Sequence, residues 1–180
     1  IKRAALLGAV TRPTFCYAVA GTHGKTTTSS LLAAMLVEAQ SPFTAFLGGV
    51  ANQFQSNYIN HGNQVSLVEA DEFDRSFLQL KPQYAVFTST DADHLDIYGK
   101  QEELEKSYQD FAGLVSDKNN VFVAYGSKHL ITGVTYSASN TNADAFSAPA
   151  SMSVSLSVVA SVVVVTFPSS SYILYPIIHL

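Results

Sequence analysis

Eight consecutive residues, Gly21-Thr22-His23-Gly24-Lys25-Thr26-Thr27-Thr28, carry the groups a phosphate site needs. Glycines at 21 and 24 let a tight loop turn its amide N–H groups inward around phosphate oxygens, and a helix starting beside them adds the positive end of its dipole. Lys25 supplies a compact positive charge for the outer phosphates, and the Thr26 hydroxyl is placed to ligate a magnesium ion bridging them. The general phosphate-loop spacing has a glycine five residues before Gly24, where this chain has Val19, so the loop is a shortened version. A bare Gly-x-x-Gly-Lys-Thr also arises as an ordinary glycine turn. Its place between an apolar run at 15–19 and the helix-like Ser-Ser-Leu-Leu-Ala-Ala-Met-Leu favours the phosphate reading.

Two further clusters follow apolar runs. Residues 65–68 lead into Glu69-Ala70-Asp71-Glu72-Phe73-Asp74. In open α/β sheets the carboxyl ends of the strands face the ligand, so Glu69 is the carboxylate expected to reach the magnesium. Asp71, Glu72 and Asp74 read either as a solvated acidic turn or helix cap, or as groups with a catalytic role. Residues 84–88 then lead into Ser89-Thr90-Asp91-Ala92-Asp93-His94-Leu95-Asp96-Ile97-Tyr98, where His94 sits among carboxylates and is expected to serve a metal or phosphate. Asp96 is placed to orient its imidazole or to accept from substrate.

The elements that must hold these clusters are legible from periodicity. Strand-like runs at 15–19, 43–47, 65–68, 84–88 and 121–125 alternate with helical patterns at 25–39, 73–80 and 101–115, and a short helix at 4–10 leads into the domain. That alternation predicts an α/β fold, a mostly parallel phosphate-loop sheet flanked by helices. Toward the C-terminus, nineteen of the twenty-four residues 148–171 are Ala, Ser, Val or Thr, and no Asp, Glu, Lys or Arg follows Asp144. Alternation at 153–157 and the run at 162–167 predict a small antiparallel subsheet there.

Composition narrows the function classes. The 180 residues, 47% apolar and 13% charged, suit one domain with a proper core. A net charge of -4 without a Lys/Arg cluster speaks against a nucleic-acid partner, and the short apolar stretch after Ile-Lys-Arg is read as neither a leader nor a membrane span. Cys16, the single cysteine, sits inside an apolar strand and reads as a buried thiol suited to a reducing cytoplasm. Neither a Ser-His-Asp order nor zinc-like Cys/His spacing is present. A nucleotide site with magnesium remains, a combination that kinases, NTPases and ATP-driven ligases share.

Taken together and in this order, Gly21 to Thr28, Glu69 to Asp74 and Asp93-His94-Leu95-Asp96-Ile97-Tyr98 resemble the Mur ligases, and within them the L-alanine-adding type. The likeness is strong over 14–114, fades after 136 and covers only the family's central ATP-binding domain. It implies residues 1–180 as that domain, with 137–180 as peripheral strands and the N-terminal UDP-binding and C-terminal domains lying outside the match. It further implies a cytoplasmic bacterial enzyme of peptidoglycan synthesis, acting on UDP-N-acetylmuramate and L-alanine through an acyl phosphate, with ATP and Mg2+ as cofactors. By the same resemblance, ATP contacts Gly21, Thr22, His23, Gly24, Lys25, Thr26 and Thr27. Thr26, Glu69 and His94 hold metal, and Lys25, Glu69 and His94 are the catalytic set.

Some residues depart from the family pattern. Ser89 stands where many members have Asn, and Gln109 lies near the spacing at which sibling ligases carry a carbamylated lysine, with Lys106 on a different face. Gly48-Gly49-Val50 and Asn57 read as a plain turn and a surface Asn, or as neighbours of the muramyl substrate. The terminal Tyr175-Pro176-Ile177-Ile178-His179-Leu180 resembles a family turn near adenine but lacks its Gly and Asn. Other readings are a murein tripeptide-recycling or folylpolyglutamate synthase-like ligase, and a nucleotide-binding module or phosphotransferase that forms no amide.

Overall fold

The computed structural model describes residues 2–90, 98 and 100–124 and, as backbone, 155–159, 162–166 and 172–176. The chain divides into two units, Ile1–Thr135 and Tyr136–Leu180. The first contains α1 (Arg3–Thr11), β1 (Phe15–Ala20), α2 (Lys25–Glu38), β2 (Phe43–Ala51), β3 (Ser56–Asn60) and β4 (Val65–Glu69). A 3-10 segment (Phe73–Gln79), β5 (Tyr84–Phe87), α3 (Gln101–Gly113) and β6 (Val121–Val123) complete it.

The strands form one sheet in the order β3-β2-β4-β1-β5-β6. All neighbours run parallel except β3, which pairs antiparallel with β2 at the edge. Near-continuous apolar runs suit strands buried on both faces, and Val19, Leu67, Val68, Ala85 and Phe87 are buried accordingly. On α2, Ser29, Leu32, Ala33 and Leu36 recur at helical spacing and form its buried stripe. The chain leaves β1 toward β2 on one side and leaves β5 toward β6 on the other, so a topological switch lies between these adjacent strands, at the end where the glycine loop emerges.

An aromatic cluster seats α3. Phe111 stacks on Phe77 with ring centroids 4.5 Å apart, while Phe87 meets both Phe111 and Tyr108 edge to face. The expected regular helix at 73–80 is instead a 3-10 segment in two pieces. Asp74 and Arg75 both have left-handed backbone angles, with φ of 51° and 54°, and two such residues in succession interrupt the α-helical ladder. The edge strand β3 was not expected either, because only Ile59 of its five residues is buried and its exposed, polar remainder hides the alternation.

The second unit carries β7 (Ser155–Val159), β8 (Val162–Thr166) and β9 (Tyr172–Pro176) in an antiparallel sheet, of which the runs at 153–157 and 162–167 predicted the first two strands but not β9. Tyr175 and Pro176 lie in β9, whereas His179 lies outside the described residues.

Cys16 is buried in β1, and burial pushes its thiol from 9.0 up to about 12. Below pH 9.0 this residue leaves stability unchanged; as the pH rises toward 12 the unfolded chain ionises first, and stability falls. A thiol reagent at pH 8 is therefore expected to label Cys16 only after denaturation, and rapid labelling of the folded chain contradicts this placement.

Candidate nucleotide site

Three strand ends converge on the glycine loop. Register places Glu69 of β4 opposite Val19 and Phe87 of β5 opposite Ala20, so Glu69 and the residues after Phe87 both flank residues 21–24. The loop is positioned by its neighbours. Thr22 N–H donates to the Ser89 carbonyl at 3.0 Å, His23 N–H to the Ser89 hydroxyl at 2.9 Å, and the Thr88 hydroxyl to the His23 carbonyl at 2.5 Å. Gly21 has φ +124°, and a Cβ there would lie 2.5 Å from Thr88 Oγ1 and 2.6 Å from the Ser89 carbonyl oxygen.

The Thr28 amide donates to the Gly24 carbonyl at 3.0 Å and makes the first intrahelical bond of α2. The amides from Gly24 to Thr27 are the ones a helix start leaves without intrahelical acceptors. With the dipole along α2, this is the local chemistry of an anion site. Thr22 and His23 shape the loop through Ser89, and the Thr22 hydroxyl also lies 3.3 Å from the Tyr108 hydroxyl. Desolvation by burial, followed by the nearby Glu72 charge, pushes the Tyr108 phenol well above its usual range, so it stays neutral.

Thr26 and Glu69, distant in sequence, meet. The Thr26 hydroxyl donates to Glu69 Oε1 at 2.8 Å, and the Gly48 amide donates to Glu69 Oε2 at 2.8 Å. A hydroxyl and a carboxylate fixed side by side are the hard oxygen donors that magnesium takes. Among the described residues no three His, Cys, Asp or Glu side chains cluster as a metal site. His94, with Asp91, Asp93 and Asp96, lies outside the described residues.

For Glu72 the solvated of the two readings does not hold. Far from being a solvated turn residue it is 1% exposed, and both its oxygens accept from Lys25 Nζ, at 3.0 and 2.9 Å. Lys25 also donates to the Gly21 carbonyl at 2.6 Å. Asp71 and Asp74 are exposed, in keeping with the solvated-turn reading, and Asp71 Oδ1 accepts from the Phe73 amide. A cleft of about 410 Å³ opens beside Lys25, Thr26 and Glu69, with Arg3 and Phe77 also on its wall.

This strand-loop-helix geometry has a counterpart among known proteins: a family model described as the Mur ligase middle domain matches residues 19–155. The chain belongs to the Mur ligases. The curated UDP-N-acetylmuramate--L-alanine ligase of Flavobacterium psychrophilum is 56% identical over 125 residues, which are 69% of this chain and 28% of that protein. The chain thus spans little more than a quarter of that relative's length. The solved UDP-N-acetylmuramate-alanine ligase of Thermotoga maritima is similar with a TM-score of 0.61 and 26% identity, over 74% of this chain and 31% of that one. The UDP-N-acetylmuramate:L-alanyl-gamma-D-glutamyl-meso-diaminopimelate ligase of Neisseria meningitides gives 0.64 and 25%, over 72% and 45%.

Several residues of this Mur ligase chain take on parts that sequence reading did not assign. Thr88 and Ser89 hold the loop, the Tyr108 hydroxyl meets that of Thr22, and Gly48 lies inside β2 rather than in a turn. Small polar residues directly after a strand at the switch point were the available signal for the first two. Gln109 and Lys106 are both exposed on α3, and Asn57 is exposed on β3.

The missing side chain at Gly48 makes a separate expectation. A Cβ there would lie 2.7 Å from Glu69 Oε1 and 2.9 Å from its Cδ. The obstacle is the far end of a flexible side chain, so Gly48→Ala is expected to cost little stability but to swing the carboxylate off Thr26. Magnesium-dependent nucleotide affinity should fall about tenfold to a hundredfold, as when a ligand's supporting contact is lost. Titration calorimetry beside a thermal melt checks this, and an unchanged magnesium requirement contradicts it.

Proposed function

We propose that this chain is the ATP-binding middle domain of a ligase that joins L-alanine to UDP-N-acetylmuramate in peptidoglycan synthesis, working in the bacterial cytoplasm. The observation that carries the nucleotide role is the meeting of Thr26 with Glu69 one residue beyond a lysine at the head of a helix. The substrates come from the named relatives, and the family's flanking domains are expected to bind the uridine nucleotide and to close over the amino acid.

Bound Mg-ATP supplies the γ-phosphoryl group and a divalent charge that offsets the negative charge developing during transfer. The chain's own contribution is placement. Gly24 to Thr27 offer amides to the phosphates, Lys25 a positive charge, and Thr26 and Glu69 oxygen donors for magnesium, with His94 assigned to a second metal position. Holding the muramyl carboxylate in line with the phosphoryl group accounts for much of the remaining advantage, and L-alanine then attacks the acyl phosphate and displaces phosphate.

The test uses the protein with its flanking domains. Phosphate release from ATP is expected to require both UDP-N-acetylmuramate and L-alanine. Release without either marks a phosphotransferase or NTPase, and release with a tripeptide in place of L-alanine marks a recycling ligase.

A further inference from the structure

The ion pair beneath the loop has a geometry that suggests more than stability. Lys25 Nζ is almost equidistant from the two Glu72 oxygens, at 3.0 and 2.9 Å, so the ammonium lies near the bisector of the carboxylate. Three N–H groups thus face four acceptors, the two Glu72 oxygens, the Gly21 carbonyl at 2.6 Å and the Thr22 carbonyl at 3.4 Å, and the long contact to Thr22 is the one an incoming phosphate oxygen would replace. The Lys25 side chain is 14% exposed and that of Glu72 1%, so the pair is largely shielded from solvent. Moving the ammonium off would strip a buried carboxylate of its counter-charge, which is strongly unfavourable.

Glu72 is itself held in place. Its carbonyl accepts from the Tyr98 hydroxyl and, at 2.9 Å, from the Arg75 amide, while the Tyr98 hydroxyl lies 3.4 Å from Ser107 of α3. Arg75 spans the same corner, with its guanidinium 5.7 Å from the centre of the Tyr98 ring and 2.9 Å from Glu103. The turn carrying Glu72 is therefore fixed to α3, and through Glu72 so is the lysine.

We propose that Glu72 is the positioning residue of the phosphate-loop lysine, holding the Lys25 ammonium in the orientation from which it meets a nucleotide phosphate. The proposal rests on the nucleotide reading above and assigns the ordering of its key cation to a carboxylate outside the Thr26–Glu69 pair. The opposite arrangement, in which Glu72 withholds the lysine until phosphate displaces it, predicts an effect of opposite sign.

Calorimetric titration of the chain with Mg-AMP-PNP separates these. Glu72→Gln is expected to weaken binding about tenfold to a hundredfold, the range for a hydrogen bond to a charged group, and Glu72→Asp to fall between Gln and the native residue. With Lys25→Met already present, Glu72→Gln should change the affinity no further, an absence of effect that a merely structural role does not produce. Binding by Glu72→Gln as tight as, or tighter than, that of the native chain overturns the proposal, as does an equal loss with and without Lys25. If thermal melting shows Glu72→Gln unfolded, Glu72→Asp is carried through the same cycle and read in the same way. Failure of the native chain to bind the nucleotide overturns the reading of the loop instead.

Discussion

Lys25→Ala is expected to weaken Mg-ATP binding about a hundredfold, the upper range for a hydrogen-bonded charged group. Two effects combine in this variant. The phosphates lose a charged donor placed within the loop, and Glu72 is left buried without its ammonium partner. Removing one member of a buried pair costs about 3–5 kcal/mol in folding stability, so the variant should melt well below the native chain. Adding Glu72→Gln separates the two: a neutral amide at 72 removes the orphaned charge and should restore part of the melting temperature while nucleotide binding stays lost. Calorimetry and thermal melting on the same samples measure both. Native affinity in Lys25→Ala removes the lysine from the site; equal melting temperatures remove the buried pair as a stabilising contact.

Gly21→Ala is expected to be the most damaging single-methyl change in the loop. At φ +124° the backbone is in a region an L side chain rarely adopts, and the new Cβ would meet Ser89 O at 2.6 Å and Ser89 N at 2.8 Å as well as Thr88 Oγ1 at 2.5 Å. Two of the three obstructing atoms are backbone beyond β5, so relief requires the strand end to move. Strain and overpacking together amount to about 3 kcal/mol, or a fall of about 10 °C in melting temperature for a domain of this size. Gly24→Ala is the internal control. Its φ is +85°, but the nearest atom to a Cβ is 3.6 Å away, so only the conformational cost applies and the loss should be about half as large. Equal losses at the two positions contradict the packing described here.

Much of this site was legible because its chemistry is local. A glycine turn between a β-run and a helix is written in consecutive residues, and Glu69 could be placed because it ends an apolar strand. Parallel β1 and β4 then set Thr26 and Glu69 together by register. What stayed hidden depends on long-range packing. Nothing near Glu72 in sequence distinguishes it from its neighbours Asp71 and Asp74; its inward place is set by a partner 47 residues away, Lys25. Ser89 and Tyr108 act across separations of 66 and 86 residues, beyond the reach of any periodic pattern. The edge strand β3 escaped notice for the opposite reason, since a strand with one buried residue has almost no pattern to read.

Magnesium dependence of nucleotide binding by this chain tests the central reading most directly. Calorimetric titration with AMP-PNP, with magnesium and again with a chelator, is expected to give one site whose affinity falls at least tenfold when the metal is withdrawn, because Thr26 and Glu69 then have no cation to share with the phosphates. No binding in the presence of magnesium, or the same affinity without it, would contradict the assignment of the glycine loop and the Thr26–Glu69 pair as a metal-nucleotide site.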